Sequence, residues 1–418
     1  MRDFFYLPLK YVLSVTSGAT PASANESYWN GDIPWVTPED ISNVKTGYLL
    51  TNTSRKISLA GYNNCGVNVL PKSSLVLTKR APIGQLAILD IDACSNQGCF
   101  ILTPNKSIDP RFYYYFLLAN KEKLQSLGRG STFLELSTDE IKALQVPKPE
   151  YSIQNSIADY LDKETSKIDE LITAKEKLLA ILEEKRRALI TQTVLRGISR
   201  EVKFKDSGVK WIGKIPEHWK ITKLKRILDR IDYGISDLIG DVGKVAVLRM
   251  GDIQNMELDF KNVGFIDSVD SSLLLNPGDL VFNRTNSLDQ IGKVAIFRGF
   301  GDFPVSLSSY LVRLRCKKGV NPEFVNYFLN STYSLSWSRS EALPSIGQAN
   351  LNPNKYSSLP ITVPPISEQS VIVDYIKKEL LKLDSIYRLT KQTTMLLNER
   401  RLSLINAVVK GSKEVSSL

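Results

Sequence analysis

Short polar and basic clusters that follow β-type runs are the residues of this chain best suited to chemistry, and that chemistry is recognition. Lys79 and Arg80 close the run SSLVLTKR at 73–80, and Asn283 and Arg284 hold the matching place in a later, similar stretch. Arg129, Ser131 and Thr132 follow a helical segment, and Ser345, Gly347, Gln348 and Asn350 stand at roughly that place further on. Arg249, just ahead of the Gly251-Asp252-Ile253 run, joins the same set. An arginine fork matches the O6 and N7 acceptors of guanine, and an Asn or Gln amide matches adenine. Ser and Thr hydroxyls commonly meet phosphate. Singly, each of these residues is also compatible with a solvated surface. As clusters on loops they point to DNA.

Bond-making chemistry has little to work with. His218, in IPEHW, is the one histidine, so an HExxH zinc site is excluded, and no G-x-S-x-G elbow accompanies it. There is no G-x-x-x-x-G-K-[ST] loop for ATP. Asn352-Pro353-Asn354-Lys355 lacks the second proline and the aromatic of an adenine-methyltransferase motif and reads as a turn. Gly128-Arg129-Gly130 and Gly299-Phe300-Gly301 are incomplete glycine motifs, and Glu201-Val202-Lys203 lacks a preceding acidic ligand. Cys65, Cys94, Cys99 and Cys316 form no C-x-x-C pair. The chain reads as a binder without a catalytic centre or metal of its own.

The composition agrees. The 418 residues suit two domains plus connectors, and 54 Lys and Arg against 44 Asp and Glu give a formal charge of +10, which favours an anionic partner. Sparse cysteines suit a reducing cytoplasm. The start, MRDFFYLPLKYVL, has neither the apolar core nor the cleavage site of a signal peptide, and no run approaches the ~20 apolar residues of a membrane span.

The elements that must position these loops are written twice. SIQNSIADYLDKETSKIDELI, from Ser152, returns as SEQSVIVDYIKKELLKLDSIY, from Ser367. A constant offset of 215 pairs Gln154 with Gln369, Asp159 with Asp374, Asp169 with Asp384, Arg186 with Arg401 and Leu189 with Leu404. No Gly or Pro interrupts 152–195. The spacing predicts a helix about 60 Å long, stopped at Gly197. Its apolar stripe, at Ile157, Leu161, Ile168, Leu171, Leu178, Leu182 and Leu189, needs a partner, and the second copy supplies one at Ile372, Ile376, Leu383, Ile386, Leu397 and Leu404. Both stripes break at equivalent points, Lys175 and Thr390, which an antiparallel pairing about a pseudo-two-fold axis would bring together at mid-length.

The globular stretches repeat more faintly. EDI at 39–41 answers GDI at 251–253, and PKSSLVLTKRAPIGQLAI answers NPGDLVFNRTNSLDQIGKVAI. DPRFYYYFL at 109–117 answers NPEFVNYFL at 321–329. IPWVTPEDI (33–41), SSLVLTKR (73–80) and QLAILDI (85–91) read as strands, and PRFYYYFLLANKEKL as a helix entered at Pro110. Similar frames with different loops suggest two readers of different things.

Together these features resemble the specificity (S) subunit of a bacterial or archaeal type I restriction-modification system. WIGKIPEHWKITKLKRI (211–227) resembles the opening of that family's target-recognition domain. GRGSTFLELSTDEIKALQVPKP (128–149) and SIGQANLNPNKYSSLPITVPP (345–365) resemble its close. The first unit lacks the W-x-G-x-I-P-x-x-W opening and starts at FYLPLKYVLSVTSG, which implies a trimmed edge. The resemblance implies an α/β (α+β) fold: recognition domains at 1–150 and 198–365, in pseudo-two-fold arrangement, and long helices at 151–197 and 366–411. The helices would form an antiparallel coiled-coil spacer, with Leu161, Ile168, Lys175, Leu182, Leu189, Ile376, Leu383, Thr390, Leu397 and Leu404 on its seam. It further implies a non-catalytic subunit that reads a bipartite, asymmetric site on double-stranded DNA in the cytoplasm. Two methyltransferase (M) subunits would bring S-adenosylmethionine, and restriction (R) subunits ATP and magnesium. The alternatives are a decoy that holds M without reading DNA, and a diverged self-contained methyltransferase or nuclease.

Overall fold

A computed structural model describes residues 4–44, 47–129, 134–199, 201–345 and 347–412. The chain divides into two compact units, one of 1–177 with 390–418 and one of 178–389, so each long helix contributes to both. The first unit holds a five-stranded sheet ordered Leu13–Ser17, Cys99–Pro104, Leu75–Thr78, Leu86–Leu89, Leu49–Leu50. The second holds Leu228–Tyr233, Leu311–Cys316, Leu280–Asn283 and Val294–Ile296 in the corresponding order. A smaller sheet recurs too: Trp29–Val36 runs parallel to Cys94–Ser95 in the first unit, and Val245–Leu248 parallel to Val305–Leu307 in the second.

The main sheets are buried on both faces, and the two-residue strand period sorts their side chains. Leu75, Leu77, Phe100 and Leu102 enter one apolar cluster, while Val76, Cys99 and Ile101 enter another. In the second unit Leu280, Phe282, Val312 and Leu314 face one cluster, and Val281 and Leu311 the other. A short helix covers each sheet, Pro110–Ala119 and Pro322–Leu329. Each starts with a side-chain cap, Asp109 or Asn321, followed by proline at the first helical position.

The long helices are Tyr151–Arg196 and Ile366–Val409, and Gly197 ends the first with φ of 74°. In the first unit Ile157 and Leu161 share a cluster with Ile405, Val408 and Val409, and Asp169 meets Arg401 at 2.9 Å. In the second unit Ile190, Val194 and Leu195 share a cluster with Ile372, Val373, Ile376 and Leu380, and Arg186 meets Asp384 at 2.7 Å. The helical segments are therefore antiparallel within each unit, and both make the same ion pair, related by the 215-residue offset. Fully burying a Leu or Ile contributes about 1.5–3 kcal/mol, so these seams, rather than helix propensity, hold the segments in place.

A buried glutamine joins helix to sheet domain in each copy. Gln154 Oε1 accepts the N–H of Asp109 at 2.9 Å, and its Nε2 donates to the Pro149 carbonyl at 2.8 Å. Gln369 does the same with Asn321, at 2.9 Å, and Pro364, at 2.8 Å.

Three expectations are corrected. The 33–41 run is strand only to Val36; Thr37 and Asp40 then form a capping box that starts a helical turn, Pro38–Ser42. Leu171 and Ile386, assigned to the apolar seam, are 51% and 46% exposed, because the seam follows Ile168, Leu182, Ile376 and Leu383. Lys175 and Thr390 are not level. Six residues on from Asp169 and six back from Arg401, residue 175 comes opposite residue 395, and Thr390 is buried while Lys175 is half-exposed.

Candidate nucleic-acid interface

In each unit the polar loops converge where the central strand of the main sheet ends. In the first, Lys79 follows the strand Leu75–Thr78. Its N–H donates to Gly98 O at 2.9 Å, and its carbonyl accepts the Leu136 N–H at 2.8 Å. In the second, Arg284 follows Leu280–Asn283. Its N–H donates to Tyr310 O at 3.2 Å, and its carbonyl accepts the Leu351 N–H at 2.8 Å. These backbone bonds make Lys79 the counterpart of Arg284, and Arg80 the counterpart of Thr285. The sequence match, Lys79-Arg80 with Asn283-Arg284, is thus out by one residue. The same bonds pair Glu135 with Asn350.

The two stations carry different chemistry on this common frame. Lys79 Nζ reaches Ser17 Oγ and Glu135 Oε1, both at 3.1 Å, and lies 5.2 Å from the Phe100 ring centre. Arg80 Nε donates to Glu135 Oε2 at 3.0 Å. Arg129 pairs through its backbone with Glu135, and its side chain meets Glu140 at 2.6 Å. Partial burial alone would raise the Glu135 carboxyl, but the Lys79 and Arg80 hydrogen bonds together bring it below its ordinary value. The first station is therefore rich in charge and internally paired.

The second has one cation, Arg284, and its partners there are neutral. Arg284 Nη2 donates to Asn350 Oδ1 at 3.1 Å and Nη1 to the Ser309 carbonyl at 3.3 Å, and its guanidinium lies 5.1 Å from the Tyr233 ring centre. Asn350 Nδ2 donates to Thr285 Oγ1 at 3.1 Å. The hairpin Leu343–Ser345 with Gln348–Asn350 presents Gln348 to solvent.

Other expected residues are placed differently. Asn283 is 1% exposed, with its backbone held by Lys293 and Gly292, and is out of reach of a duplex. Lys79, with a side chain 12% exposed, orients its neighbours more than it offers a surface. Arg249 is exposed at the end of Val245–Leu248, in the smaller sheet, where its side chain lies across Gly264. Ser131, Thr132 and the Ser345 side chain lie outside the described residues.

Sequence reading missed a third contributor. The turn carrying exposed Gln97 abuts the first station, where Gln97 meets Thr20; Ser309 and Tyr310 hold the corresponding turn in the second unit. Gly18 and Gly234 let the neighbouring chain cross that turn. A Cβ at Gly18 would stand 2.1 Å from Asn96 O, and one at Gly234 2.2 Å from Ser308 O. The signal was available, since each glycine directly follows a strand of the repeated sheet.

Two further findings bear on chemistry. His218 pairs with Glu368 at 2.8 Å on the surface, and among the described residues no group of three His, Cys, Asp or Glu could hold a metal. Each unit also leaves one repeated apolar pair open on its helices: Leu171 and Leu396 in the first, 51% and 56% exposed, and Ile386 and Ile181 in the second, 46% and 58%.

Comparison with known proteins agrees with this geometry. The family model described as the type I restriction modification DNA specificity domain matches residues 1–180 and again 216–395. The chain is 34% identical over 185 residues to the type I restriction enzyme MjaIX specificity subunit of Methanocaldococcus jannaschii, a match spanning 44% of this chain and 42% of that one. It is 23% identical over 322 residues to the EcoKI specificity subunit of Escherichia coli K12, covering 75% of this chain and 68% of that one. The fold is shared with a chain solved in work on assembly and conformational transition of the type I R-M system, with a TM-score of 0.77 and 14% identity over 99% of both chains. The HsdS subunit from Thermoanaerobacter tengcongensis gives 0.53 and 15% over 98% of this chain and 97% of that one. With two family matches that together span most of its length, and a recognition frame built twice, this chain belongs to the type I restriction-modification DNA-specificity family.

Proposed function

We propose that the chain is the non-catalytic, DNA-reading subunit of a type I restriction-modification complex, acting in the cytoplasm on a bipartite, asymmetric site. One observation carries the reading: two repeated frames present, at the same strand end, stations of different chemistry. One is built on Lys79, Arg80 and Glu135, the other on Arg284, Thr285 and Asn350. Identical readers would suit a palindrome, whereas different ones suit unlike half-sites. Residues 1–150 and 198–365 would each read one half, and the helices at 151–197 and 366–411 would serve as spacer and docking surface.

The partners would be methyltransferase and restriction subunits. The apolar pair repeated in each unit supports two M copies, one on each, because an exposed patch repeated by the chain's own duplication suits a repeated partner. S-adenosylmethionine would enter with M, and ATP with magnesium with R. No residue of this chain is assigned to hold either.

The test is co-expression with the M subunit of the same system in a methylation-free host, followed by mapping of methyladenine. The expected result is a split motif with one methylated adenine per half, on opposite strands. No new methylation, with M shown active beside another S subunit, would favour a decoy. Methylation or cleavage by the purified chain alone would favour an enzyme.

A further inference from the structure

We infer that Arg80 is a base reader for guanine in the first half-site, held for that task by Glu135, with Lys79 as the positioning residue beneath both. The inference rests on the DNA-reading function proposed above. Glu135 is pinned from two sides: Lys79 Nζ takes Oε1 at 3.1 Å, and Arg80 Nε takes Oε2 at 3.0 Å. Lys79 is itself fixed by Ser17 Oγ and by its packing over Phe100. The carboxylate therefore has a set position, and it consumes only the Nε edge of the guanidinium.

Arg80 remains 48% exposed, and among the described residues neither terminal nitrogen makes a hydrogen bond. Among the described residues the end-on pair, Nη1 and Nη2, is left unengaged. Two parallel N–H donors meet two kinds of partner on a duplex, the O6 and N7 acceptors of guanine or the oxygens of a phosphate. Glu135 distinguishes them. A phosphate on this fork would stand close to a carboxylate of like charge, whereas the guanine edge is neutral and offers the same pair of acceptors. The carboxylate also lowers the net charge of the station, which reduces its attraction for DNA of any sequence.

The second unit lacks the arrangement. Thr285 stands where Arg80 does and Asn350 where Glu135 does, and the Arg284 fork is engaged by Ser309 and Asn350. The guanine contact is thus assigned to one half-site only.

The experiment maps methyladenine for the full chain with its M subunit, comparing wild type with Arg80→Lys, Glu135→Gln and Asn350→Ala. An exchange of residues 1–150 assigns the half-sites. Arg80→Lys keeps the charge and loses the fork, and Glu135→Gln loses the carboxylate that steers it. Both should relax the same G·C position of the first half-site, with methylation of sites altered there rising roughly 10-fold or more. Asn350→Ala should leave that position untouched. An unchanged motif in Arg80→Lys, or relaxation at an A·T pair, would overturn the assignment. So would Glu135→Gln that only tightens random-duplex binding and steepens its salt dependence, the signature of a phosphate contact. If wild type gives no split motif, the DNA-reading function itself fails, a result separable from a wild-type motif that the variants leave intact.

Discussion

The side-chain oxygen of Gln154 accepts the backbone N–H of Asp109 at 2.9 Å, so the first turn of the long helix is stitched to the cap of the helix that covers the sheet. The other end of the same amide holds Pro149 O, just before the long helix begins. A recognition domain is thereby fixed to its helix by a buried polar clamp, and Gln369 repeats it in the second unit.

Removing that clamp leaves a buried N–H and a buried carbonyl without partners. Gln154→Leu is expected to cost about 2–6 kcal/mol, at roughly 1–3 kcal/mol per unsatisfied group. Urea unfolding of the full chain checks it. A chain of two units can unfold in two steps, and Gln154→Leu should move one step while Gln369→Leu moves the other.

The ion network around Glu323 should make stability pH-dependent. Burial by itself raises this carboxyl, but hydrogen bonds from Arg298 and Lys377 outweigh that and leave it below its ordinary value. A carboxyl lowered on folding adds stability above its unfolded pKa and loses it as pH falls through the folded value. Glu323→Gln should therefore destabilise at pH 7 by about 1.5–3 kcal/mol. The gap to wild type should close below pH 4.5, the ordinary value. Denaturation midpoints from pH 7 downward test the sign; a gap that widens in acid would contradict the assignment.

The crossing glycines admit no side chain. With a Cβ brought to 2.1–2.4 Å from carbonyl oxygens of the neighbouring chain, Gly18→Ala and Gly234→Ala should each cost at least about 2 kcal/mol. Because each crossing adjoins a recognition station, each variant should also weaken methylation. The check is thermal unfolding beside methylome mapping, and a neutral Gly18→Ala would show that the crossing opens freely.

Exchange of residues 1–150 for those of a relative should change one half of the methylated motif and leave the other as it was. Sequencing of the methylated sites reads this directly. Change in both halves would mean that the two stations do not act independently.

The chain order alone determined the duplication, the long helices, the strand-rich frames and the helix entry at Pro110. Those features follow from local periodicity and from cap chemistry, which act over a few residues. Family membership was legible too, because the repeated motifs keep their order and spacing. Tertiary structure decided which polar residues work together. Glu135 meets Lys79 and Arg80 across 55 residues or more of chain, and Asn350 meets Arg284 across 66. Aligning LVLTK with LVFNR already matches Lys79 with Arg284, and the backbone hydrogen bonds fix that register. Burial of Asn283 and exposure of Leu171 and Ile386 were hidden, because a polar or apolar residue type does not fix which side the neighbouring element covers. Pairing and burial depend on what the fold brings alongside, and a linear sequence carries that information only through the whole of its packing.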